Sequence, residues 1–90
     1  MSKIKIEFRG AFKNITNESL REVDYEDNMT IQDVLRKLKD RFGCEFAESI
    51  RERDYLIICV NGVDCRRYRD LDTEINEEDT LIISHVAAGG

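Results

Sequence analysis

Glu78-Asp79-Thr80-Leu81-Ile82-Ile83-Ser84-His85, running on into Val86-Ala87-Ala88-Gly89-Gly90, is the stretch that decides how this chain is read. Leu81 and Ile83 alternate with Ile82 and Ser84, the two-residue period of a half-buried strand, so Thr80 to about His85 is predicted to be the final strand. Beyond it nothing remains to bury. The side chains of 86–90 are small, and two glycines lack the Cβ that restricts backbone rotation. A domain over 1–85 carrying a flexible tail over 86–90 is therefore expected.

Working outward, Tyr55 to Asn61 is rich in branched apolar residues and predicts a strand buried on both faces or nearly so. Asn61-Gly62 closes it with the dipeptide preferred by a type I′ turn, whose two central residues need positive φ, and Val63 to Cys65 would return as a short strand. Asp64 to Asp79 is otherwise charged and irregular, with only Leu71 and Ile75 expected to point inward. Upstream, Thr30 stands three residues before Asp33 in a capping-box arrangement, Ile31, Val34, Leu35, Leu38 and Phe42 recur at helical spacing, and Gly43 supplies the stop. Arg36, Lys37, Lys39 and Asp40 fall on the solvated side of that helix. Cys44 to Asp54 reads as a connection with a helical turn carrying Phe46 and Ile50 inward.

At the other end, Ile4, Ile6 and Phe8 alternate with Lys3, Lys5, Glu7 and Arg9, a first strand. Gly10 interrupts it, Lys13 to Glu18 is polar enough for a loop, and Leu20 to Tyr25 forms a second strand with Arg21, Val23 and Tyr25 on one face. The pattern gives an α+β domain: a mixed sheet of four to five strands packed on one main helix.

The 90 residues leave room for one core and no deep catalytic chamber, so a surface function is favoured. The net charge of −5 disfavours nucleic acid, whose phosphates call for a dominant basic face. No apolar run is long enough for a bilayer, and Met1 to Lys5 alternates instead of forming a signal-peptide core, so a cytoplasmic protein is expected. Cys44, Cys59 and Cys65 are an odd set without a C-x-x-C pair, which argues against a disulfide framework or a metal site.

With these elements in place the chain resembles the ubiquitin-like β-grasp sulfur carriers and modifiers: MoaD, the small subunit of molybdopterin synthase; the thiamine sulfur carrier ThiS; the ubiquitin-related modifier; and the small archaeal modifier proteins. The resemblance is carried by Ile4-Lys5-Ile6-Glu7-Phe8, Thr30-Ile31-Gln32-Asp33-Val34-Leu35, Ile58-Cys59-Val60-Asn61-Gly62 and the C-terminal stretch quoted above. In place of the prolyl pair of MoaD-like tails stands Ser84-His85-Val86, and the chain contains no proline.

The resemblance implies a carrier that is not itself an enzyme. Gly90, presented by Gly89, would be adenylated by an ATP-dependent adenylyltransferase of the ubiquitin-activating type and converted to a thiocarboxylate. Sulfur would then pass to molybdopterin synthase large subunit or another sulfur-accepting enzyme. Val86, Ala87 and Ala88 would enter the partner's cleft. ATP is used by the activating partner, and no permanently bound cofactor is expected. Two alternatives stay open: a modifier joined through Gly90 to lysines of target proteins, and a noncatalytic interaction module.

If Leu81 and Ile83 face the helix, Ile82 points away, and Ile57 and Cys59 share that outer face with Ser84; His85 lies at the root of the tail. These five residues form the expected partner-docking face. Cys59, alternating with buried strand residues, also reads as a small core hydrophobe, Cys65 lies beside Arg66 and Arg67, and Cys44 follows the helix end. Arg66, Arg67 and Arg69 around Tyr68 form one basic cluster, a solvated loop or a docking surface for an acidic partner.

Overall fold

The computed structural model describes residues 2–52 and 55–85. Among them, five strands form one mixed sheet in the order β2-β1-β5-β3-β4. β1 (Lys3–Phe8) pairs antiparallel with β2 (Leu20–Asp24) and parallel with β5 (Thr80–His85). β3 (Leu56–Val60) lies antiparallel on the other side of β5, with β4 (Val63–Asp64) at the edge. This is the ubiquitin-like β-grasp architecture, and its last strand occupies the middle of the sheet.

The strand alternation becomes the core. Ile4, Ile6, Phe8, Leu56, Ile58, Val60, Leu81 and Ile83 all turn to one face and are buried there. Ile31, Val34, Leu35 and Leu38 of α2 (Ile31–Phe42) pack against them. Burying each of these side chains contributes roughly 1.5–3 kcal/mol. The capping box forms as the sequence predicts. Thr30 N–H donates to Asp33 Oδ2 at 3.0 Å, and Asp33 N–H donates to Thr30 Oγ1 at 3.3 Å. At the far end Gly43 turns the chain at φ 82°, a left-handed value that glycine adopts without Cβ strain. Asn61 and Gly62, at φ 50° and 87°, make the expected hairpin turn.

Four expectations need correction. Lys13 to Glu18 is not a polar loop: Ala11–Thr16 forms α1. Its signal is short, Phe12 fully buried with Ile15 and Thr16 one turn on, and the Thr16 hydroxyl donates back to the Phe12 carbonyl at 2.9 Å. The region after Gly43 carries more than one helical turn, since Cys44–Arg51 forms α3 and buries Phe46. β3 is buried on one face and only half-buried on the other, so Cys59 lies outside the core. Finally, the segment before β5 buries more than Leu71 and Ile75. Cys65 enters the core from a 3₁₀ turn, Thr73 is buried, and Leu71 is only half-buried. This segment is sewn to the start of α2, with Ile31 N–H donating to Thr73 O at 3.1 Å and Ile75 N–H to Met29 O at 2.9 Å.

The expected tail residues Val86, Ala87, Ala88, Gly89 and Gly90 lie outside the described residues.

Candidate functional site

The side of the sheet away from the helices is an open surface. Its residues follow from register, because partners across a ladder point to the same face. One row runs Leu20, Glu7, Ile82, Cys59, Asp64 across all five strands. The next row toward the end of β5 pairs Ser84 with Ile57. Ile57, Cys59, Ile82 and Ser84 are each half-buried, and Leu20 is 56% exposed. Glu7 interrupts this apolar strip in its first row, between Leu20 and Ile82. Arg9 Nη2 meets Glu7 Oε2 at 3.1 Å.

Within the strip the Cys59 thiol has its pKa pushed up, first by burial and second by the negative charge of Asp64, with Arg9 acting weakly in the other direction. A thiol in that setting stays protonated at neutral pH and packs as a small apolar group.

The strand that carries the strip is fixed at its start. Asn61 Nδ2 donates to Asp79 Oδ1 at 2.9 Å, Thr80 N–H donates to Asn61 Oδ1 at 3.0 Å, and Asn76 N–H donates to Asp79 Oδ2 at 2.8 Å. Glu78-Asp79-Thr80 is therefore a lock between the hairpin turn and the central strand.

The structure brings together four of the five residues expected at the docking face and separates the fifth. Residue 85 shares the parity of Leu81 and Ile83, so His85 turns to the helix side, where its Nε2 lies 2.9 Å from the Ser49 carbonyl and its ring packs on Phe12 at 4.6 Å between centroids. The alternation that buried Leu81 and Ile83 already contained this placement. Leu20 was not foreseen on the open face; its apolar outward position in β2 was the available signal.

The basic cluster divides. Arg66 Nη2 donates to the Leu56 carbonyl at 2.8 Å, covering part of the β3 edge that the short β4 does not reach, whereas Tyr68 is 54% exposed beside Arg67 and Arg69. Among the described residues no group of three or more His, Cys, Asp or Glu could hold a metal ion, and no helix is long and apolar enough to cross a membrane.

In fold the chain is similar to the small archaeal modifier protein 1 of Methanosarcina acetivorans, with a TM-score of 0.78, 19% identity and coverage of 100% of this chain and 98% of that one. It is similar to Urm1 of Trypanosoma brucei at TM-score 0.80 and 17% identity, covering 99% and 96%. A protein assigned as molybdopterin converting factor subunit 1 of Pyrococcus furiosus gives TM-score 0.75 and 18% identity, covering 97% and 100%. At these identities the likeness shows the fold. No curated protein matches the sequence. The ThiS family, by contrast, matches residues 6–90, a span that starts within β1, takes in the other four strands of the sheet and includes Gly89 and Gly90. By that match the chain belongs to the ThiS family.

Proposed function

We propose that this chain is a sulfur carrier whose Gly90 carboxylate is adenylated and then converted to a thiocarboxylate. The observation that carries the proposal is the ThiS-family match through residue 90. A carboxylate is a poor electrophile and must be activated first. Its oxygen attacks the α-phosphorus of ATP, a phosphoanhydride bond breaks and pyrophosphate leaves. Hydrosulfide then attacks the acyl carbon, forming the C–S bond, expelling AMP and losing its proton to leave the thiocarboxylate. The absence of Cβ atoms at Gly89 and Gly90 leaves that carbon open to both steps. The adenylyltransferase supplies the catalysis, and Val86, Ala87 and Ala88 enter its cleft. Leu20, Ile57, Cys59, Ile82 and Ser84 form the surface against which partners dock.

Molybdopterin synthase large subunit is the leading acceptor, a choice favoured by the similarity to the Pyrococcus furiosus protein. Conjugation through Gly90 to lysines is the second reading, favoured by the similarity to small archaeal modifier protein 1. The test is to incubate the protein with ATP, a sulfur source and a ubiquitin-activating-type adenylyltransferase from the same organism. Mass spectrometry should find oxygen replaced by sulfur at Gly90. A variant lacking Gly90 should fold as before and accept nothing; activity retained in that variant refutes the carrier reading. Lysine adducts in cells, without thiocarboxylate, would select the modifier.

A further inference from the structure

His85 is the last residue of β5 and the last before the segment that carries Gly90. Its ring is held from two helices. The Ser49 carbonyl belongs to the final turn of α3 (Cys44–Arg51), where the helix has no N–H left to satisfy it. Because a carbonyl only accepts, the 2.9 Å contact requires the proton on Nε2, and His85 thereby acts as a C-terminal cap supplied from a distant strand. On the other side stands Phe12 of α1, fully buried, its ring also packed edge-on against Phe46 of α3 at 5.6 Å. Strand, α1 and α3 thus converge on one imidazole. A strand end secured only by its ladder frays, and this chain has no proline to stiffen the exit.

We propose that His85 is a positioning residue: clasped between the Ser49 carbonyl and the Phe12 ring, it fixes the direction in which the chain leaves β5 and so presents the terminus to the activating enzyme. The inference rests on the reading of Gly90 as the group that is activated. A fixed starting direction narrows the volume searched by the terminus and acts on productive encounter with the enzyme, not on the chemical step.

Two measurements test it. In the isolated ¹⁵N-labelled protein, residual dipolar couplings at the Val86 and Ala87 amides should be finite and should collapse toward zero in His85→Ala. His85→Gln, which keeps an N–H donor at the ε position, should recover part of them. In the adenylation assay, His85→Ala should raise KM for the carrier about five- to tenfold with kcat within about twofold, and His85→Gln should restore much of the loss. Equal couplings in wild type and His85→Ala, or a fall in kcat at constant KM, overturn the inference. If His85→Ala fails to fold, His85→Phe, which keeps a ring against Phe12 and loses the donor, decides the same question. A wild-type protein that is never adenylated refutes the carrier reading alone, since the couplings are read without any enzyme.

Discussion

Ile82→Lys should weaken docking by at least about tenfold while leaving the domain folded. Ile82 sits at the centre of the open strip, flanked in register by Glu7 of β1 and Cys59 of β3. Losing a branched residue from a strand costs up to ~1 kcal/mol, and a lysine facing Glu7 returns roughly 0.2–1 kcal/mol as a cross-strand pair. Stability should therefore change by less than about 1 kcal/mol, a shift in Tm of no more than roughly 4–8 °C for a domain of this size. Binding is another matter. Complete burial of an isoleucine stabilises by roughly 1.5–3 kcal/mol. Since the fold leaves at most about a third of Ile82 exposed, docking gains at most about a third of that, and the variant forfeits it. Desolvating an ammonium, even one able to bend toward water, adds at least ~1–2 kcal/mol. The sum, about 1.5–3 kcal/mol, corresponds to a roughly 10- to 150-fold weaker Kd. Titration calorimetry against the adenylyltransferase measures it, with thermal unfolding as the control. Asn14→Lys, which adds the same charge on the exposed side of α1, should leave Kd unchanged. A Kd for Ile82→Lys within about threefold of wild type, with the fold intact, would show that partners do not use this face.

Other consequences are simpler to check. Phe12→Ala removes a fully buried ring in contact with Phe46 and His85 and should cost about 3–5 kcal/mol in urea unfolding; a loss below ~1 kcal/mol would mean that α1 contributes nothing to the core. The Asp33 carboxyl is held below its usual range, chiefly by the Thr30 backbone N–H and then by the Thr30 hydroxyl. Its contribution is therefore complete above the unfolded value near 4 and fades as pH falls through the lower folded value, so Asp33→Asn should flatten the loss of stability measured from about pH 6 to about pH 2. Brief alkylation with peptide mapping should modify exposed Cys44 first and Cys59 more slowly, because burial raises the Cys59 pKa, with Cys65 reacting only on unfolding. Faster reaction at Cys59 than at Cys44 would contradict that placement.

Much of this molecule was legible because its long elements are locally consistent. α2 announces itself through spacing, capping box and terminal glycine together, and β1 and β5 through strict alternation. α1 escaped because six residues span fewer than two turns, too few for a period to emerge, and because Lys13, Asn14 and Thr16 hide Phe12 and Ile15 in a polar composition. β3 was ambiguous for the opposite reason: every position from Leu56 to Val60 is apolar, so composition did not say which side of Cys59 was wet. Burial of Met29, Cys65 and Thr73 depends on an irregular segment meeting the start of α2, including the bridge between Thr30 and Glu74, and no local pattern encodes such a contact. Of the site, the outer-face set Ile57, Cys59, Ile82 and Ser84 followed from parity. The same parity, applied one step further, sends His85 to the other side.

The position of β5 between β1 and β3 also governs how the domain would answer to force. A pulling machine that grips the chain beyond His85 loads a strand hydrogen-bonded along both flanks, parallel on one and antiparallel on the other. Extraction along the strand axis must shear two ladders at once instead of unzipping an edge bond by bond, and such rupture is governed by the unfolding rate. A partner tugging on the terminus during handover, or an unfoldase threading from that end, would therefore load both ladders of the central strand together.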